Sequence, residues 1–239
     1  MKAILHKAAT RGHADHGWLE SWHSFSFAGY YNPERMHFGA LRVLNDDTVA
    51  ADMGFGRHPH DNMEIISIPT SGELLHEDNM GHRQVIREGD VQAMSAGTGI
   101  QHSEKNNSRD EEVRFFQIWV FPNLRNVEPR YDQKTFSDEE KKNRLVNVVA
   151  PMGSGNGAVE IYQNAWFYLG DLDRGVSLEY QLKDPAHGVY IFLVEGNVTM
   201  AGESLNRRDA IGITGASKLE IRADSQAEIL VMEVPMSSR

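Results

Sequence analysis

The chain has 239 residues, enough for one large or two modest domains, each with its own core. A net charge of −10 without any clustered Lys/Arg surface argues against a nucleic-acid role; Lys141-Lys142 with Arg144, and Arg207-Arg208, sit beside acids or loop residues. There are no cysteines, which excludes disulfides, thiolate metal sites and a cysteine nucleophile, so any metal must use histidines and carboxylates.

The N-terminus begins Met1-Lys2-Ala3-Ile4-Leu5 and turns polar at His6-Lys7, too short an apolar run for a secretory signal. No stretch approaches the roughly 18 apolar residues of a membrane span. The expectation is a soluble, cytoplasmic protein, monomeric and self-repelling through its negative surface. Next comes an aromatic segment, Trp18 to Tyr31, with Trp22, Phe25, Phe27 and Tyr30. Its first reading is core or barrel-mouth packing, and its second an aromatic substrate pocket.

Short strands follow. Ile65–Ile68, Val113–Phe121, Val189–Val194, Leu219–Arg222 and Glu228–Val234 are rich in β-branched and aromatic residues. Turn signals separate them: Ser71-Gly72, Asn79-Met80-Gly81, Glu88-Gly89-Asp90, Glu195-Gly196-Asn197, Ala201-Gly202 and Thr214-Gly215. Spacing of about 8–12 residues predicts an all-β sandwich or barrel rather than alternating βαβ units. Between the halves, Ser137 to Asn143 predicts a short helix, with Ser137 as N-cap and Glu140 completing a capping box.

A faint repeat divides the chain in two. Gly72-Glu73-Leu74 resembles Gly196-Asn197-Val198, the run Arg87 to Asp90 echoes Arg207 to Asp209, and Ser95-Ala96-Gly97 echoes Thr214-Gly215-Ala216. Both halves close on an apolar strand ending in proline, at Pro122 and Pro235. Their common order predicts tandem barrels.

Two segments carry the chemistry. In Gly54-Phe55-Gly56-Arg57-His58-Pro59-His60, the two histidines stand at i and i+2, on one face of an extended strand. The run Ser95 to Glu104 ends in His102-Ser103-Glu104, a second i, i+2 pair after a glycine-rich turn. On adjacent strands the pairs would bring three imidazoles and a carboxylate to one ion such as iron(II), manganese, nickel or zinc. Glu64, four residues after His60, is an alternative or additional carboxylate, and spacing leaves both open. His13, His16, His23, His37, His76 and His82 are assigned to surface or structural use. No Gly-x-Ser-x-Gly, phosphate-binding glycine loop or dinucleotide fingerprint stands in its required context.

Together, Gly17-Trp18-Leu19, the run Ser21 to Phe27, Leu41 to Asp47, Gly54 to His60 and Met94 to Glu104 make the chain resemble the pirin family of the cupin superfamily, from about Gly12 to Pro122. The resemblance implies a bicupin: two jelly-roll β-barrels packed face to face, with a metal-binding cupin in residues 1–135 and a linker with a degenerate cupin in 136–239. It implies one divalent transition metal, Fe(II) first, with Zn, Ni, Mn or Cu as alternatives. The ligands it implies are His58, His60, His102 and Glu104, which favours Glu104 over Glu64. Only His187 stands in the second half, which is expected to bind no metal. By the same resemblance the activity is that of a quercetin 2,3-dioxygenase, cleaving a flavonol with dioxygen; a carboxylate at the site, Glu104 or Glu64, would accept the 3-hydroxyl proton as general base, with Glu104 taken as the catalytic residue. The alternative is a non-enzymatic, metal- or redox-responsive regulator that binds a protein partner.

Overall fold

Residues 1–237 are described by a computed structural model, and among them the strands form four sheets. In the first half a seven-stranded sheet runs in space as Arg130–Thr135, Asp90–Ser95, Glu64–Ser71, Val113–Val120, Leu41–Val49, Leu19–His23 and Gly12–Asp15. A four-stranded sheet closes its barrel: Gly54–His60, Ile100–Asn106, Glu73–Asp78 and Arg83–Arg87. The second half repeats the layout. Its larger sheet runs Lys2–His6, Ala210–Thr214, His187–Glu195, Ala227–Pro235, Trp166–Leu172, Val146–Pro151 and Val159–Ile161. Its smaller sheet runs Ser177–Gln181, Lys218–Ala223, Asn197–Met200 and Glu203–Asn206. The expected tandem barrels are present.

The two larger sheets face each other across a shared core. Along His187–Glu195 the even positions Tyr190, Phe192 and Val194 join that core, while Val189, Ile191 and Leu193 point into their own barrel. Alternation of side chains along a strand explains the split, and burial on both faces explains why the segment reads as a continuous apolar run. From the first half, Ile66, Ile68, Phe116, Ile118 and Val120 meet them, with Phe116 edge-on to Phe192 at 5.3 Å. Each such side chain contributes about 1.5–3 kcal/mol by leaving water, so this shared layer fixes the barrels to one another.

The repeat is visible in detail. Gly72 and Gly196 both turn with positive φ (76° and 85°), and Gly89 and Arg208 hold the same left-handed place before Asp90 and Asp209. Arg208 tolerates that conformation because its guanidinium lies over Phe116 at 5.3 Å and pairs with Asp46 at 3.3 Å across the barrel junction.

Two expectations need adjusting. Lys2–His6 falls inside the 1–135 assigned to the first barrel, yet it pairs with Ala210–Thr214 of the second. Asp209 anchors it there, accepting from Lys7 Nζ and the Ala8 amide at 2.9 and 2.8 Å. The helix is a single turn, Asp138–Lys141, shorter than the predicted Ser137 to Asn143. Its capping box between Ser137 and Glu140 is formed, but Asn143 turns left-handed and bonds back to Asp171, which stops it.

Candidate metal centre and its cavity

His58, His60 and His102 come from neighbouring strands whose antiparallel register sets His102 opposite His58 and Ile100 opposite His60. Between His102 and Glu104 that register shifts by one residue, a bulge of the kind that re-aims side chains beside active sites. Gly54 allows the close approach, since a Cβ there would meet the Glu104 carbonyl oxygen at 2.3 Å. The three rings then stand 4.4 to 4.9 Å apart, with ligating nitrogens all within 4.8 Å of one another.

Protonation suits a cation site. Burial, with neighbouring His102 and His58, pushes His60 down to about 4; burial, with His58 and His76, pushes His102 down to about 3. Both imidazoles are neutral near pH 7, the form that ligates. His58 Nδ1 lies 2.8 Å from the Gly56 carbonyl oxygen, which only accepts, so Nδ1 carries the proton and Nε2 the lone pair. His102 Nε2 is buried without any hydrogen-bond partner. An orphaned imidazole nitrogen beside two further imidazoles fits a divalent metal.

The carboxylates divide. Glu104 is buried next to His102, and its two oxygens accept from Ser67 Oγ at 3.0 Å and Gln117 Nε2 at 2.9 Å. Its oxygen also falls within 4.8 Å of ligating atoms of His76 and His102. Glu64 is turned the other way. Its neighbour Ile65 faces the cavity, so strand alternation sends the Glu64 carboxyl to Ser95 Oγ (2.6 Å) and the Tyr162 amide (3.2 Å). Burial pushes its carboxyl up to about 7. The idea that Glu64 approaches the ion is set aside on that geometry.

The imidazoles open on a cavity of about 700 Å³, lined by Phe27, Tyr30, Phe55, Ile65 and Trp119 among others. The aromatic segment thus splits between its two readings. Phe25 is in the shared core, Phe27 and Tyr30 line the cavity, and Tyr31 is exposed. Beside the three histidines lies a polar wall: Ser21, His23, Asn45, Asp47 and Gln117. They sit side by side in the ladder, Ser21 opposite Asp47, His23 opposite Asn45, and Asn45 opposite Gln117. Burial pushes the Asp47 carboxyl up to about 7, against the hydrogen bond from Ser21 and with help from Asp46 and Glu104. Gln117 Oε1 and Trp119 Nε1 are buried and unpartnered, one acceptor and one donor.

Of the histidines assigned to surface or structural use, His13, His16 and His23 line the cavity, and His37 bonds the Gly39 carbonyl at 2.9 Å. His76 is fully buried beside His102, not at the surface. The sequence carried only a local signal, a further i, i+2 pair at His76 and Asp78, which strand pairing sets across from His102 and Glu104.

Two such barrels in one chain, the first carrying a histidine-walled cavity, define a bicupin. A family model described as Pirin matches residues 5–120, and one described as the quercetinase C-terminal cupin domain matches residues 147–234. The chain is 40% identical to the quercetin 2,3-dioxygenase of Escherichia coli K12 over 97% of its length and 98% of the relative's. It is 38% identical to a pirin-like protein of Caulobacter vibrioides, covering 93% and 95% of the two chains. The bacterial pirin YhhW of Escherichia coli, solved in complex with nickel(II), superposes with a TM-score of 0.92 at 39% identity, covering 98% and 99%. The chain belongs to the pirin family. No helix among the described residues is long and apolar enough to cross a membrane.

Proposed function

We propose that this protein is a metal-dependent dioxygenase of the quercetin 2,3-dioxygenase type, with His58, His60, His102 and Glu104 holding one divalent ion, Fe(II) in the first instance. The observation that carries the reading is the unpartnered His102 Nε2, buried beside two further imidazoles at the wall of an aromatic-lined cavity. Relatives named quercetin 2,3-dioxygenase, and a nickel complex of a similar chain, support it. A bound ion would supply Lewis-acid polarisation to an ionised flavonol hydroxyl and to dioxygen.

The chain's own residues do the rest. Phe27, Tyr30 and Trp119 provide flat apolar surface for a polyphenol. The open Gln117 Oε1 accepts from a phenolic hydroxyl, and Trp119 Nε1 donates to an oxygen of the same ring system. Glu104, held by Ser67 and Gln117 with lone pairs to spare, takes the 3-hydroxyl proton. Asp47, raised toward neutrality, is placed to hold a second proton. The cavity excludes bulk water once a flat ligand fills it, which strengthens each of these contacts. In the overall reaction both dioxygen atoms end in a depside and the flavonol C3 leaves as carbon monoxide.

The test is aerobic quercetin turnover by protein loaded separately with iron, nickel, manganese, copper or zinc, with metal content measured alongside. Decay of flavonol absorbance with one metal, lost in His58→Ala, is the expected result. Full occupancy without turnover by any of the metals overturns it and restores the regulatory alternative. Full-rate cleavage by Glu104→Ala with metal still bound would remove the proton-accepting role from Glu104 alone. The setting proposed with this activity is a cytoplasmic monomer, which sedimentation of the purified protein checks.

A further inference from the structure

We infer that Asp78 and His76 act as positioning residues for the metal site, fixing His102 in the tautomer that leaves its Nε2 free to ligate. The inference rests on the metal reading above, but it concerns residues that lie behind the proposed ligands.

Asp78 is buried, and four hydrogen bonds converge on its carboxylate. Oδ1 receives the backbone amides of Met80 (2.9 Å) and His82 (3.1 Å); Oδ2 receives His82 Nδ1 (2.9 Å) and His76 Nε2 (3.1 Å). An ionised carboxylate accepts only, so His76 must carry its proton on Nε2. In that tautomer Nδ1 is the lone-pair nitrogen of His76. Facing it at 3.5 Å, the long end of hydrogen-bond range, is His102 Nδ1. Two lone pairs do not bond, so His102 is the donor, protonated on Nδ1 and bare on Nε2. That bare nitrogen is the same atom left buried without a partner.

Sheet register holds the chain of contacts in place. His102 stands opposite Asp78, and Glu104 opposite His76, in one unbroken antiparallel pairing. Tyr131 packs against both His76 and His82, at 4.9 and 5.0 Å, which leaves the rings little freedom to turn. His58 reaches the same end by other means, through the Gly56 carbonyl. Outer partners of this kind fix ring orientation and raise ligand basicity, and losing one typically weakens metal binding about 10–100-fold.

A rival reading makes His76 a ligand in its own right, since it forms a group with His102 and Glu104. That arrangement would spend the His76 Nδ1 lone pair on the ion, so that it could no longer accept from His102 Nδ1.

Two measurements decide. The first is long-range ¹H–¹⁵N NMR of the wild-type apoprotein, with the His102 signals assigned by their loss in His102→Asn. Protonation on His102 Nδ1 is expected, and protonation on Nε2 overturns the proposal whatever any variant does. The second is a Co(II) titration of the whole protein, reading stoichiometry, affinity and the visible ligand-field bands. His76→Leu should bind one ion about 10–100-fold more weakly with shifted bands. His76→Gln, whose amide can donate to Asp78 and accept from His102, should recover affinity to within a few-fold. Wild-type affinity and bands in His76→Leu overturn the proposal, as does a second ion per chain that His76→Leu abolishes. Co(II) binding unchanged by His58→Ala would instead defeat the metal reading itself, and the tautomer of His102 would still decide the orientation argued here. A thermal melt of each apo variant separates loss of fold from loss of the ion.

Discussion

The two barrels share a topology and differ in what fills them. In the first, His102 is flanked across the ladder by His58 and Asp78, and Glu104 by His76. On the matching strands of the second, Ile221 is flanked by Leu178 and Met200, and Ala223 by Val198. One set is a ring of titratable groups around a cavity; the other belongs to a single continuous apolar core. The first barrel's interior is broken into two small clusters, one around Phe115 and one around Ile65, with the polar wall between them. A barrel this size can be packed solid or hollowed for chemistry, and the hollow one leans on its packed twin through the shared layer.

The largest effect should come from His102→Ala. Emptying that position should leave the protein folded, because the orphaned nitrogen goes with it, yet lower flavonol turnover by about 1,000-fold or more, the several kcal/mol a metal contributes to such a barrier. Metal content after dialysis, beside the absorbance decay, checks it; turnover within tenfold of wild type would break the contrast between the barrels. On the packed side, Ile221→Ala should do the reverse. Removing a fully buried side chain from the packed core should destabilise the protein by about 2–5 kcal/mol in urea unfolding, while the folded fraction keeps one ion per chain.

Much of this contrast was legible in the sequence. His58-Pro59-His60 and His102-Ser103-Glu104 announce themselves because strand periodicity turns i, i+2 spacing directly into a shared face. The turns of the repeat were legible for a like reason, as Gly72, Gly89 and Gly196 occupy conformations that side chains resist. What stayed hidden depends on register between distant strands. His76 reads as a surface or structural histidine, and Asp78 carries no assignment, until the pairing of Glu73–Asp78 with Ile100–Asn106 sets them behind His102 and Glu104. Asp47, Asn45 and Gln117 read as strand polars of no particular direction, and only barrel closure turns them inward. The placement of Lys2–His6 in the far barrel is likewise a long-range pairing that local pattern does not encode.

The polar wall makes a smaller, pH-dependent prediction. With its carboxyl pushed up to about 7 by burial, folded Asp47 keeps a proton that the unfolded chain releases near its ordinary carboxylate value. Between those two values the folded state binds more protons, so this group's contribution to stability is full below the lower one and is lost as pH rises through the upper. Asp47→Asn removes that loss. Urea unfolding should show the variant matching wild type near pH 4 and exceeding it at pH 8 by on the order of 2 kcal/mol. A constant offset across the range would mean that Asp47 ionises inside the fold as freely as outside it.

The smallest effect sharpens the comparison from the packed side. His187, the second half's own histidine, donates from Nδ1 to Glu233 at 3.0 Å, and Glu233 also accepts from Tyr180 and the amides of Lys183 and Asp184. The buried carboxylate is therefore satisfied by its neighbours several times over. His187→Gln should cost about 1 kcal/mol, the net worth of one such bond, and leave metal content and turnover within twofold of wild type. Its strand is also the one whose alternate face, through Tyr190 and Phe192, builds the layer shared with the first barrel. A clear fall in turnover without loss of metal would therefore say that the second barrel tunes the first through that layer. An unchanged rate confines the chemistry to the hollow barrel and leaves its twin a structural support.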